Sequence, residues 1–408
     1  MRQNAIVGQS GGPTSAINAT LAGVIAGARE ARHIDRIYGA RNGIEGMLEG
    51  RFLDLGNLDD EALLLLKQTP AAALGSCRKK LPPPDDPAGK AIFEKLFAFF
   101  EAKNIGYFFY IGGNDSMDTV AKLTAYAKAH RIEGISFVGI PKTIDNDLEG
   151  TSHTPGFGSA AKYIATSVQE ILRDTAVYTV KAVTIVEIMG RDAGWLTAAA
   201  ALPRLLSGVS PDLVYLPEAV FDIERFFGDL EKAFFRHSNL VVAVSEGIRY
   251  ADGRYVGEGT QSGAADAFGH RYLQGTAKSL EAAVKERFGC KVRSVELNLP
   301  QRCAAHLLSA TDIAESFGVG RAAAELAPVA SGCMIGYERK DDPYSVSYRP
   351  VEVSEIANKI RLVPREFINE EGNHVTDACL EYLKPLIAGE YPVLYRDGLP
   401  RHFVFSLD

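Results

Sequence analysis

One recurring unit constrains this chain more than any other feature: a short, nearly unbroken apolar run that hands over to a helical stretch. "NAIVG" (4–8), "RIYGA" (36–40), "GYFFYIGG" (106–113), "GISFVGIPK" (134–142), "AVTIVEIMG" (182–190), "DLVYLPE" (212–218) and "LVVAVSEG" (240–247) all read as strands. Continuous apolarity, in place of alternation, suits parallel strands covered on both faces. Between them, stretches such as "AIFEKLFAFFEAK" (91–103) and "FGSAAKYIATSVQEILRDTA" (157–176) carry helical periodicity. The alternation predicts an α/β fold: two doubly wound, Rossmann-like domains with parallel-rich sheets. In such sheets ligands bind beyond the carboxyl ends of the strands, so the strand-end turns are where function is sought.

At 408 residues the chain can bury a large core. Its net charge of −7 gives no global basic field for nucleic acid, so an anionic ligand must be held by local Arg and Lys. The five cysteines are scattered, with neither a CxxC pair nor zinc-type spacing, which points to reduced thiols and a cytoplasmic location. "MRQNAIVGQSGG" enters a strand and a glycine turn at once, leaving no room for a signal peptide. No apolar run approaches the roughly 20 residues of a membrane span.

Several strand ends carry chemistry. "GQSGGPTSAINATLAG" (8–23) follows a strand and opens a helix, but it is neither GxGxxG nor a P-loop. The backbone N–H groups of Gly11 and Gly12 could hold a phosphate there; a plain tight turn is the alternative. "GGNDS" (112–116) sets Asn114 and Asp115 at a helix start, where either could simply cap the helix. "GIPKTIDND" (139–147) runs from a strand into Lys142, Thr143, Asp145 and Asp147. Two acids spaced by one residue could take a proton from a hydroxyl or hold Mg²⁺ through oxygen; a solvated acidic loop is the alternative. "EIMGRDAGW" (187–195), "VSEGI" (244–248) and "VRSVELNLPQR" (292–302) add Arg or Glu at strand ends, suited to sugar-phosphate oxygens and hydroxyls. "KKLPPPDDPAG" (79–89) and "RYADGRYVGEGTQSG" (249–263) read as a surface loop and a mobile connection. The stretch from about 340 to 408 carries no motif and reads as structural packing.

Taken in order, SGGPTSAIN, LGSCR, GGND, PKTIDND, MGRDAGW, SEG and PQR resemble the phosphofructokinase family over about residues 4 to 325, and within it the pyrophosphate-dependent branch. The resemblance implies reversible, Mg²⁺-dependent phosphoryl transfer from diphosphate to the 1-hydroxyl of fructose 6-phosphate, giving fructose 1,6-bisphosphate and phosphate. It implies Asp145 as the base, with Asp147 supporting it and Thr143 near the sugar's 1-hydroxyl. Gly11, Gly12, Arg78 and Lys142 would hold diphosphate. Met189, Gly190, Arg191, Glu246, Leu299 and Arg302 would face the sugar phosphate, Arg302 at its 6-phosphate, and Asn114 would sit at the metal. Arg293 would reach across from a second subunit, so a homodimer is expected, with a homotetramer as the alternative.

Two positions set the donor. ATP-dependent members typically carry Gly where this chain has Asp115 and Lys142. Asp115 would occupy the place of ATP's α-phosphate, and two unit charges about 4 Å apart repel by roughly 4 kcal/mol at an effective dielectric near 20. That is on the order of a thousandfold in affinity. Three positions depart from the family pattern: Asn114 where many relatives have Asp, Ala182 where many ATP-dependent relatives have Arg, and Leu299 in place of His or Tyr. The alternatives are an ATP-dependent 6-phosphofructokinase, a same-fold kinase for sedoheptulose 7-phosphate, and a non-catalytic subunit. The expected division assigns 1–155 plus about 265–308 to a diphosphate and Mg²⁺ domain. It assigns 156–264 plus about 309–408 to a fructose-6-phosphate domain with a C-terminal extension.

Overall fold

The computed structural model describes residues 2–87, 89–258 and 275–405. The strands of its two main sheets, in chain order, are β1 (Gln3–Gln9), β2 (Ile34–Ala40), β3 (Phe52–Asp54), β4 (Ile105–Gly112), β5 (Ser136–Pro141), β6 (Ala182–Ile188), β7 (Leu213–Tyr215), β8 (Asn239–Ser245), β9 (Lys291–Glu296), β10 (Cys333–Asp341) and β11 (Tyr344–Glu352). Each apolar run read from the sequence is one of these strands, and the two helical stretches form the helices Lys90–Ala102 and Phe157–Thr175.

The strands build a seven-stranded sheet in the order β11-β10-β5-β4-β1-β2-β3 and a four-stranded sheet in the order β7-β8-β6-β9. The smaller sheet is parallel throughout, whereas β3 and β11 close the larger one antiparallel. Central strands are buried on both faces, as their composition requires: Val7, Phe109 and Val138, adjacent in register, are fully covered.

Strand membership corrects the expected division. β9, from the segment expected to continue the first domain, pairs with β6 in the smaller sheet, while β10 and β11 join β5 in the larger one. The pattern of "KVRSVE" identifies a half-covered strand but carries no information about its partner, which is a long-range choice. The expected boundary at 264/265 lies outside the described residues, as do 259–263 of the predicted connection. Residues 249–258 form a tight reversal in which Gly253 N–H donates to the Tyr250 carbonyl.

Helix Ile17–Glu30 leads from the first glycine turn and packs on helix Ala310–Leu326 at backbone contact. A Cβ on Gly23 would lie 2.0 Å from the Phe317 carbonyl oxygen, and one on Gly320 2.1 Å from that of Thr20. Only glycine permits this approach. Asp312 on the second helix accepts from Gly156 N–H and Ser159 N–H, capping helix Phe157–Thr175 from outside and anchoring the loop that follows β5.

Candidate active site

Both sheets present strand ends to one cleft of about 460 Å³. From the larger sheet come the turns after β1, β4 and β5; from the smaller come those after β6 and β8.

At one end lies the first glycine turn. Gly11 has φ +77°, which strains any residue but glycine, and a Cβ there would crowd the Lys142 amine at 3.2 Å. Gly11 N–H donates to the Cys77 carbonyl at 3.1 Å, so that donor is already used within the turn. Lys142 is 3% exposed and donates Nζ to the Gly12 carbonyl at 2.6 Å. Arg78 and Arg302 line the same end, the Arg302 guanidinium 3.7 Å from a Cβ on Gly12.

Asn114 and Asp115 begin the helix Asn114–Ala129 after β4. Asp115 is not a lone charge: Lys80 Nζ lies 2.9 Å from its Oδ1. The neighbouring Leu81, in what read as a plain surface loop, is 2% exposed, and its carbonyl accepts from Lys122 Nζ at 2.8 Å, so the loop that carries Lys80 is anchored. The Asn114 Oδ1 is buried at the cleft with no hydrogen-bond partner among the described residues. A buried acceptor left unsatisfied is costly, so this atom suits an incoming cation or its bound water.

After β5 the chain turns through Asn146, held at φ +55°, with Asp145 and Asp147 both lining the cleft. Thr143 Oγ1 accepts from Asp145 N–H at 3.1 Å. The two carboxyls sit at the cleft floor, crowded by protein atoms yet still partly open to the solvent that fills it. Loss of hydration raises both: Asp145 is moved up against the pull of Arg191 and Lys142, and Asp147 is pushed to about 7 by burial and then by Asp145. Burial brings Lys142 down to about 8, against the opposing pull of Asp145 and Asp147, and Arg302 and Arg78 lower it further.

The other end is built on the smaller sheet. Gly190, at φ +137°, donates its N–H to Glu246 Oε1 at 3.4 Å, and Ser245 Oγ donates to the Gly190 carbonyl. Met189 N–H is held by Gln301 Oε1 at 3.2 Å. Glu246 is raised to about 8 by burial and then by Asp145, so it is largely protonated at neutral pH and can donate as well as accept. Arg191 and Met189 complete this wall.

Two expected residues lie elsewhere. Leu299 is 52% exposed, because the turn it begins sends Gln301 inward instead. Arg293 is exposed on β9, the outer strand of the smaller sheet, away from this chain's own cleft. Lys181, beside the departure at Ala182, lies over the rings of Phe234 and Phe288. Sequence reasoning missed Lys80, Asp192, Asn358 and Ile360, all of which line the cleft. Lys80 stands two residues after Arg78 and could have been suspected; Asn358 and Ile360 belong to the stretch without a motif.

A basic end, an acidic floor and a polar wall suit a phosphoryl-transfer cleft, and the chain belongs to the phosphofructokinase family, whose profile (Phosphofructokinase) matches residues 4–326. Its relatives sharpen the comparison. It is 40% identical over 407 residues to the pyrophosphate–fructose 6-phosphate 1-phosphotransferase of Halomonas elongata, covering 98% of this chain and 95% of that one. It is 41% identical to the enzyme of the same name from Methylococcus capsulatus, covering 98% and 94%. A solved pyrophosphate-dependent phosphofructokinase from Nitrosospira multiformis superposes with a TM-score of 0.88 at 37% identity, covering 98% and 95%.

Proposed function

We propose that this chain transfers a phosphoryl group reversibly between diphosphate and the 1-hydroxyl of fructose 6-phosphate. The observation that carries the reading is the convergence on one cleft of the Lys142 amine, the Asp145–Asp147 pair and an Asp115 already paired with Lys80.

In this reading Asp145 accepts the proton of the sugar's 1-hydroxyl as that oxygen forms its bond to phosphorus. The bridging P–O bond of diphosphate breaks, and phosphate leaves with the bond's electron pair. General-base help of this kind contributes about 10²- to 10⁴-fold. Lys142, Arg78 and the Gly12 N–H face the charge that gathers on the transferring group, where positioning and electrostatics supply most of the rate. Arg302, by its place beside Gly12, serves that group as well as the 6-phosphate role implied by family resemblance. Thr143, Met189, Gly190, Arg191 and Glu246 hold the sugar.

Mg²⁺ would bind through Asn114, directly or by a water, and through the donor's own oxygens, neutralising charge on diphosphate. The fit rests on the buried Asn114 Oδ1, which has no hydrogen-bond partner among the described residues and would meet the ion or its water, the donor's oxygens supplying further ligands. Arg293, exposed on the outer strand β9, would complete a neighbouring subunit's sugar site in a homodimer, its exposure being what supports the reading. Among the described residues no helix is long and apolar enough to cross a membrane; with five free cysteines, a cytoplasmic enzyme is the consistent placement.

A donor comparison tests the reading: purified chain, Mg²⁺ and fructose 6-phosphate, with diphosphate or ATP. Fructose 1,6-bisphosphate should form with diphosphate and negligibly with ATP; comparable rates with both would remove the donor assignment.

A further inference from the structure

The stretch after residue 340 carries no motif, yet Arg361 within it meets both halves of the cleft. Its main-chain N–H donates to the Asp147 carbonyl at 2.8 Å, beside an isolated antiparallel bridge between Leu148 and Ile360. Its guanidinium donates Nη1 to the Asn146 carbonyl at 3.1 Å and Nη2 to the Tyr382 hydroxyl at 2.8 Å. The same guanidinium lies 4.3 Å from the centroid of Trp195, whose Nε1 donates back to the Arg361 carbonyl at 3.0 Å. Asn146 and Asp147 belong to the loop after β5 of the larger sheet. Trp195 closes the loop after β6 of the smaller one. A single residue therefore ties together the two loops that face each other across the cleft.

The tie falls on the turn between the two acids. Asn146 takes the left-handed conformation that asparagine tolerates, and the guanidinium on its carbonyl fixes the orientation of the peptide leading into Asp147. The planar fork reaches two acceptors at once while its face covers an indole, a combination an ammonium cannot reproduce.

We propose that Arg361 is a positioning residue that holds the Asp145–Asp147 loop against the sugar-side loop, acting through main-chain carbonyls and Trp195. The inference rests on the phosphoryl-transfer reading above. A misplacement of about 1 Å at a reacting group can cost on the order of a hundredfold in rate, which sets the size of the effect.

Trp195 is the chain's single tryptophan, so its emission reports the clamp without any turnover. Arg361→Met keeps the main-chain bond to Asp147 and removes only the fork. Its kcat should fall about a hundredfold, with the KM for diphosphate unchanged and Trp195 emission altered. Arg361→Lys should recover little of this, and Tyr382→Phe should lose a smaller part in the same direction. Should Arg361→Met fail to fold by circular dichroism, the other two variants carry the test. Wild-type kcat in Arg361→Lys and Tyr382→Phe would overturn the proposal, as would unchanged Trp195 emission in a folded Arg361→Met. A wild-type chain inert toward fructose 6-phosphate would instead sink the reading of the site, leaving the emission arm to decide the clamp.

Discussion

Lys80 and Asp115 form an ion pair at the donor end of the cleft, Nζ to Oδ1 at 2.9 Å. The pairing bears on how the proposed donor would be selected. An unpaired Asp115 would repel a nucleotide's α-phosphate by the roughly 4 kcal/mol given by two charges about 4 Å apart. Lys80 offsets much of that, and both side chains keep some water contact, so the charge is further screened. In the proposed reading, exclusion of ATP would then depend largely on the space the pair occupies. Lys80→Met should raise the KM for diphosphate by about tenfold through a lost cation, roughly the energy of one charge-assisted contact. Asp115→Gly should raise the ATP-to-diphosphate rate ratio by at least an order of magnitude. Parallel kinetics with the two donors check both; an unchanged ratio in Asp115→Gly would exclude the pair as the selector.

Asp145→Ala should still bind fructose 6-phosphate while kcat falls about 10²- to 10⁴-fold, the range for loss of a general base. Calorimetric binding together with steady-state rates separates the two effects. Turnover retained within a few-fold would remove Asp145 from that role.

The pH profile follows from opposed shifts at the cleft floor. Asp145 must be ionised to accept a proton, and its raised pKa means activity falls as pH drops through a range above that of an ordinary carboxylate. Lys142 must be charged; with its pKa lowered to about 8, that charge is lost as pH rises through 8. A narrow bell is expected, with its alkaline limb near 8. Arginine stays charged throughout this range, so Lys142→Arg should move the alkaline limb upward even at reduced kcat. An alkaline limb that stays in place would assign it to another group.

Chelation should abolish activity, and added Mg²⁺ should restore it. Because a carboxylate ligates Mg²⁺ more strongly than an amide oxygen, Asn114→Asp should lower the Mg²⁺ concentration for half-maximal rate. A metal titration of both proteins measures this, and an unchanged midpoint would place Asn114 away from the metal.

Arg293 offers a test of assembly. Arg293→Ala should raise the KM for fructose 6-phosphate while light scattering still reports a dimer. An active monomer would contradict a role in trans.

The amino-acid sequence alone determined seven of the strands and which residue types stand at their ends. Short apolar runs bounded by glycine and charged turns mark the strands buried on both faces, and Lys142 and Asp145 follow β5 directly in the chain. What the tertiary structure decided depends on pairing between distant segments: β9 beside β6, Lys80 against Asp115, the Gly11 N–H spent on Cys77, and Arg361 across two loops. The physical reason is that a strand's periodicity shows which of its faces is covered without showing by what, and an ion pair or a clamp exists only once the fold brings its two ends within about 3 Å.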